Sequence, residues 1–481
     1  MAELHDLNAR DLAAAIRAGD TSPTEVIEHT LDRAHEVGAR VGAFVTLTEE
    51  LARDQARVAE EKLQDLRRQP GSPVPPLLGV PCPIKDLTMV AGVPLGAGSA
   101  ALGGYVAPVD DGVVTLLRRA GTVMPGKTTT PELGLPAYTE PDVAPPARTP
   151  WDLSRSAGGS SGGAAAAVAA GVTPVAQGND GGGSLRIPAA ACGLVALKAT
   201  RGRISPGPHR VDGIGLATEG ALTRDVRDTA AVLDVLAQPW PGDHYHLPGP
   251  ATTFLAACDR PTGRLRVGLL TDPVVSPDAP VHPEALRAAQ RAAGLLAEMG
   301  HEVVPAPVPF PAERWELFMP LWSVLALSAP VPPEAESALV PLTRWLRDLG
   351  RQVTGVQLAE AISGMQLLAR EVATTWADLD LVLSPTLAQP PAPIGSLRDD
   401  ADPAADFEAQ KAYTPWGSVW NIIGAPALSL PLHRARAEAG GPVLPFGVML
   451  GGRSGTEETL LSVAAALEDA APWHDARPPE W

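Results

Sequence analysis

Two serines and a lysine are the residues whose settings invite chemistry. Ser160 lies in GGSSGG and Ser184 in DGGGSLR. Glycine-rich turns give a side chain little steric cover and leave backbone N–H groups free to face a ligand. A nucleophile beside an anion-stabilising pocket needs both. Lys85 sits in an apolar run, PLLGVPCPIKDLTMV, beside Asp86. Burial lowers the pKa of a lysine and can leave it neutral and basic. A strand-end lysine reaching back to water fits the composition as well.

Other chemistries compete for the same residues. Ser160 satisfies G-x-S-x-G through Gly158 and Gly162, and Ser161 does so in the overlapping frame. A hydrolase elbow of that kind needs a strand directly before the serine, then Asp and His partners. Pro150, Asp152 and Ser154 break any apolar run there, and His209, His282, His301 and His433 have no distinctive setting. Gly121 to Thr128 matches the phosphate-loop pattern GxxxxGK[ST] letter for letter. Such a loop follows a strand and opens a helix. Here a helical segment precedes Gly121, and the strand expected over Thr122 to Met124 falls inside the loop.

The bulk properties narrow the field. A chain of 481 residues, 45% hydrophobic and 19% charged, is globular and builds a core without disulfide or metal staples. A formal charge of −17 argues against a nucleic-acid surface. Cys82, Cys192 and Cys258 form no CxxC pair, which points to reduced thiols, a cytoplasmic setting and no metal site. The N-terminal MAELHDLNARDLAAAIRAGD carries charge throughout, unlike a secretory signal. The most apolar window, Ala164 to Ala176, is too short to span a bilayer.

The pattern of elements is that of an α/β fold. Helices are expected over Leu7–Ala18, from Ser22 to Val37 with a Ser22–Glu25 capping box, and over Leu51–Arg68, ended by Pro70-Gly71. Further helices are expected over Asp110–Arg119, Thr223–Leu236 and Thr456–Glu468. Strands are expected over Val41–Leu47, within Pro76–Val90, and over Asp380–Ser384, Asn421–Leu432 and Phe446–Leu450. Gly263–Leu270, the helix Pro283–Met299 and His301–Val304 read as a βαβ unit. The Ala/Val run between the two serines holds one helix and one strand. Pro305 to Gln389 is mainly helical and rich in tryptophan. Aromatics at such spacing suit a core or a substrate channel.

Taken in order, these motifs resemble the amidase signature family. GVPCPIKDL (Gly79 to Leu87) is similar to the family's lysine strand, and GTVMPGKTTTPELG (Gly121 to Gly134) to its connector. AGGSSGGAAAAVAAG and GNDGGGSLRIPAAACGLVALKAT resemble the signature, and GAPALSLPL the closing strand. The similarity runs from about Leu7 to Leu467 and is weakest over 240–410. Within the family it is strongest to the branch of nylon-oligomer (6-aminohexanoate cyclic dimer) hydrolases and broad amidases. Asn179-Asp180-Gly181 departs from the usual Thr-Asp-Thr/Ile, and Ala196 and Ala199 from the usual Gly and Pro.

The resemblance implies one large α/β domain over 1–481, with a central mixed, twisted sheet covered by helices on both faces. Within it lie a helical region (1–70), a catalytic core (76–240) and a variable helical region (305–376) lining the substrate pocket. It implies a serine hydrolase of carboxylic amides, with Ser184 as nucleophile, Ser160 as bridging serine on a cis peptide after Gly159, and Lys85 as base. The backbone N–H groups of Gly181, Gly182, Gly183 and Ser184 would form the oxyanion hole. Asp180 and Arg186 would brace the loop as an ion pair, and Ser161 would hydrogen-bond within it. Tyr138, Met319, Trp322 and Trp416 are the pocket candidates. The expected substrate is a small apolar or linear amide, anilide or urethane, with no cofactor, metal, nucleic acid or membrane involved, in a monomer or homodimer. Two rivals stand: the glutaminase-type subunit of a tRNA-dependent amidotransferase, and an α/β-hydrolase-like esterase using Ser160. Ile187 and the lack of a polar set for a glutamine head group weigh against the first.

Overall fold

Short β-rich runs separated by Gly/Pro turns become eleven strands in the computed structural model, which describes residues 3–69 and 71–481. Met1, Ala2 and Pro70, the expected helix terminator, lie outside the described residues. In chain order the strands are β1 (Phe44–Leu47), β2 (Ile84–Lys85), β3 (Gly126–Thr128), β4 (Val175–Asp180), β5 (Val195–Lys198), β6 (Thr218–Thr223), β7 (Arg266–Leu269), β8 (Glu302–Pro305), β9 (Leu381–Pro385), β10 (Ala427–Arg436) and β11 (Val443–Gly452). Eight of them form one sheet in the order β4-β6-β5-β10-β11-β9-β7-β8. The β7–β8 and β7–β9 pairs are parallel and the rest antiparallel, so the sheet is mixed. The helix Pro283–Glu298 joins β7 to β8, completing the expected βαβ unit.

The alternation of β11 shows why both faces are covered. Leu444, Phe446, Val448 and Leu450 enter one core with Leu296, Leu460 and Leu461 of the helices Pro283–Glu298 and Glu457–Ala470. The intervening residues turn the other way: Gly447 meets Ala190, Met449 meets Arg186 and Gly451 meets Trp420. A strand buried on both sides needs a nearly unbroken apolar run, as VLPFGVMLGG is.

A small second sheet, β1-β3-β2, flanks the open edge of β4 and carries Lys85. Gln177 N–H donates to the Pro83 carbonyl at 3.0 Å, tying the two sheets together. The N-terminal helix Pro23–Arg33 starts as its sequence dictates. Glu25 N–H donates to Ser22 Oγ at 3.1 Å, and Ser22 N–H donates to the Glu25 carboxylate at 2.8 Å. Cys82, Cys192 and Cys258 are free and buried. Among the described residues no helix is long and apolar enough to cross a membrane.

Several expected elements are corrected. Of Pro76–Val90 only Ile84–Lys85 is strand. The strand expected over Thr122–Met124 begins later, at Gly126, because Val123 makes only an isolated bridge to Pro81. Gly126-Lys127-Thr128 is therefore β3 and cannot cradle a phosphate. Lys127 is fully buried, 2.9 Å from the Asp86 carboxylate, and donates to the Thr88 carbonyl at 2.9 Å. Asn421–Leu432 is not one strand. A helical turn, Val419–Ile423, precedes β10 and ends at Gly424 in the left-handed region. The apolar run alone did not separate a buried turn of helix from a buried strand.

Gly451 illustrates how tightly the sheet is covered. A Cβ added there would lie 1.9 Å from the Trp420 ring. Gly451→Ala is expected to cost about 1–3 kcal/mol through overpacking, read as a lower urea midpoint. Gly355→Ala, with nothing within 4 Å of the added methyl, should leave the midpoint unchanged or raise it.

Candidate active site

The site is built where β4 meets β2. Period-2 alternation sends Gln177 and Asn179 of β4 to one side, and both touch Lys85. Lys85 N–H donates to Gln177 Oε1 at 2.9 Å, and Lys85 Nζ lies 2.8 Å from Asn179 Oδ1. The same Nζ lies 2.8 Å from Ser160 Oγ. Lys85 is 0% exposed, so it does not reach back to water. Burial lowers its pKa to about 7, against the pull of the Glu219 and Asp180 charges and with the help of Arg210. Its neighbour Asp86 turns away to pair with Lys127.

Ser160 follows a cis peptide after Gly159. The Tyr138 backbone sits 2.6 Å from where a Gly159 side chain would start, so this turn admits no side chain there. The Ser160 carbonyl accepts from Thr130 Oγ1 at 3.0 Å. Ser161 stitches the two serine loops together: its N–H donates to the Ser184 carbonyl at 3.2 Å and its hydroxyl to the Asn179 carbonyl at 3.3 Å. The segment before Ser160 is loop and bridge with no strand, so the hydrolase-elbow reading of Ser160 lacks its scaffold. Among the described residues, the Ser184 hydroxyl makes no hydrogen bond, and no histidine bonds either serine.

Ser184 is held by the buried carboxylate of Asp180. Gly183 N–H donates to Asp180 Oδ1 at 2.8 Å and Leu185 N–H to Oδ2 at 3.2 Å. Arg186 grips both oxygens at 2.9 Å. Its guanidinium continues to the Gly417 carbonyl at 2.8 Å and Asn421 Oδ1 at 2.7 Å. Asn421 Nδ2 donates back to Asp180 Oδ1 at 2.9 Å. Burial alone would raise the Asp180 carboxyl; the Arg186 charge and the bonds from Arg186 and Asn421 outweigh it and hold it well below the usual range. Gly183 is thereby corrected as an oxyanion donor, since its N–H is already engaged by Asp180. Gly181, Gly182 and Ser184 keep N–H groups with no intrachain acceptor among the described residues. Asn421 and Gly417 were invisible to sequence reasoning, because nothing in a chain shows that residues so far apart will meet.

The pocket candidates separate. Trp322 stands against the loop, 3.4 Å from where a Gly181 side chain would start, and Phe318, one helical turn earlier, approaches Gly182 at 3.7 Å. Trp315, Phe318 and Trp322 form a stacked ladder with ring centroids 4.7 and 5.1 Å apart. Phe318 belongs to the aromatics of the helical region expected to suit a core or a substrate channel but not to the pocket candidates, although its i, i+4 spacing to Trp322 was readable. Met319, on the neighbouring face, is corrected. It lines a groove of about 500 Å³ with Ser323, Val353 and Glu360, whose lining includes neither Ser160 nor Ser184. Trp416 is buried and donates to the Asp272 carbonyl at 2.9 Å. Tyr138 turns its hydroxyl to Asp406 at 2.7 Å, leaving only its backbone at the serine turn.

A model of the Amidase family matches residues 25–461. The chain belongs to the amidase family. It is an amide-cleaving hydrolase. It is 36% identical over 492 residues to the 6-aminohexanoate-cyclic-dimer hydrolase of Paenarthrobacter ureafaciens, covering 97% of this chain and 95% of that one. A solved structure of 6-aminohexanoate cyclic dimer hydrolase with its substrate superposes with a TM-score of 0.89 at 33% identity, covering both chains completely. A bacterial aryl acylamidase of the amidase signature family superposes with a TM-score of 0.83 at 26% identity, covering 98% of this chain and 97% of that one. The fold is thus the amidase signature fold expected from the motifs.

Arg186→Met would leave the Asp180 carboxylate buried without its main countercharge. Breaking a buried pair in this way is expected to cost about 3–5 kcal/mol, measured by urea unfolding, and to loosen the Ser184 loop so that activity falls with stability.

Proposed function

We propose that this amidase cleaves small-molecule amides through a Ser-Ser-Lys triad of Ser184, Ser160 and Lys85. The observation that carries this reading is the fully buried Lys85 Nζ, 2.8 Å from Ser160 Oγ. Neutral Lys85 accepts the Ser160 proton while Ser160 accepts that of Ser184. Ser184 Oγ attacks the carbonyl carbon, and the carbonyl π electrons move to oxygen. The N–H groups of Gly181, Gly182 and Ser184 hold that oxyanion, each donor worth about 3 kcal/mol. The relay then runs backwards, and Ser160 delivers a proton to the leaving nitrogen as the C–N bond breaks. Amines leave poorly unless protonated, so this step brings amides within reach. Water attacks the acyl-enzyme by the same route and restores Ser184.

The wall beside the loop supports an apolar acyl group as substrate. Phe318 and Trp322 bring aromatic carbon and no charge next to the donors. A linear aliphatic amide, an anilide or a urethane suits such a wall. The names of the cyclic-dimer hydrolase and the aryl acylamidase agree with that class. We assign residues 76–240 as the catalytic core and the helices of 305–376 as the supplier of the wall. The three buried, free cysteines fit a reducing, cytoplasmic setting.

Ser184→Ala is expected to abolish both amide hydrolysis and covalent labelling by a fluorophosphonate. Label that persists in Ser184→Ala but is lost in Ser160→Ala would overturn the assignment. The wild-type kcat/KM should rise with pH through about 7, where Lys85 loses its proton, and level off above it. An optimum near the carboxylate range would exclude an amine base. A panel of short aliphatic amides, an acetanilide, a linear nylon oligomer, a dicarbamate and free glutamine would place the substrate class, with glutamine expected to be poor.

A further inference from the structure

The amine of Lys85 has a second partner that the reaction above does not use. Asn179 stands one residue before the loop-bracing Asp180, opposite Glu219 in the β4–β6 register. Its side-chain oxygen is 2.8 Å from Lys85 Nζ. Among the described residues, Ser160 is the other hydrogen-bond partner of that nitrogen. The charged groups that act on Lys85 are Glu219 on β6, Asp180 at the end of β4 and Arg210 in the loop before β6. Glu219 is occupied by Gln177 Nε2 at 2.6 Å and lies 3.7 Å from Arg210. Asp180 is occupied by Arg186. The group that touches the amine is therefore the neutral one.

A neutral amine has two N–H bonds and one lone pair. It accepts a proton from Ser160 only when the lone pair faces that hydroxyl, so its hydrogens must be drawn elsewhere. An amide oxygen accepts an N–H and carries no net charge, so it orients the amine without favouring the ammonium as a carboxylate would. We propose that Asn179 is a positioning residue for the base: its side-chain oxygen takes one hydrogen of Lys85 and turns the lone pair toward Ser160. This role rests on the Ser-Ser-Lys reading.

Two substitutions of nearly the same shape separate the parts. Asn179→Leu removes the acceptor. It is expected to lower kcat on the order of 100-fold, the scale of a misaimed reacting group, with KM unchanged. Asn179→Asp keeps the acceptor and adds charge. It is expected to raise the acid limb of the kcat/KM profile by about one pH unit or more, with the rate recovering to within about tenfold of wild type above the new limb. A merely structural role would lower the rate and leave the limb in place. An Asn179→Asp variant with the wild-type limb, or an Asn179→Leu variant with wild-type kcat, overturns the proposal. If Asn179→Leu does not fold, the Asn179→Asp profile decides alone. Ser184→Ala and Lys85→Ala, run alongside, keep the two readings apart. Activity surviving in either removes the triad, whereas activity lost in both with an unmoved acid limb in Asn179→Asp removes only the role of Asn179.

Discussion

An amine works as a base at neutral pH only where its ammonium form is poorly stabilised, and the arrangement around Lys85 meets that constraint, as the proposed mechanism requires. Exclusion from water supplies the largest effect. Carboxylates close to the amine would undo it, and the fold gives each of them another partner. Asp86 is matched to Lys127 and Asp180 to Arg186, while Glu219 is met by Gln177 and Arg210. Buried ion pairs are weak evidence of stability in general. Here the Asp180–Arg186 pair has a more specific effect, because it offsets negative charge that favours the protonated lysine.

The same pairs set the mechanics of the loops. Asp180 receives the Gly183 and Leu185 N–H groups at the turn carrying Ser184, and Arg186 links that turn to Gly417 and Asn421. Asp86 and Lys127 join β2 to β3 beside the strand end that presents Lys85. These buried carboxylates thus hold in place the residues that surround the amine.

Much of this was legible in the chain. The Ser22–Glu25 cap, the βαβ unit from Arg266 to Pro305 and the helix–strand content of the Ala/Val run are local patterns, and local patterns are what a sequence displays. Ser160, Ser184 and Lys85 stood out for the same reason: glycines on either side, or a charge in an apolar run. Gly183 was misjudged because a glycine-rich loop looks like a row of free donors until the acceptor for each is known. Met319 was misjudged because a helix turns about 100° per residue, so the neighbour of Phe318 belongs to another face. Asn421 was misplaced because a short apolar run does not distinguish one buried turn from a strand. Its contact with Asp180 then depends on how β10 and β4 sit within the sheet.

The ring of Trp322 beside Gly181 couples two distant positions of the chain. With the indole 3.4 Å from the Cβ site, an alanine methyl would just touch it, and any longer side chain at 181 would run into the ring. The volume next to the Ser184 loop is therefore shared between a loop residue and a helix residue far along the sequence. A side chain longer than alanine at 181 is accommodated only with a smaller residue at 322. A smaller residue at 322 with glycine kept at 181 leaves an empty space beside the Ser184 loop.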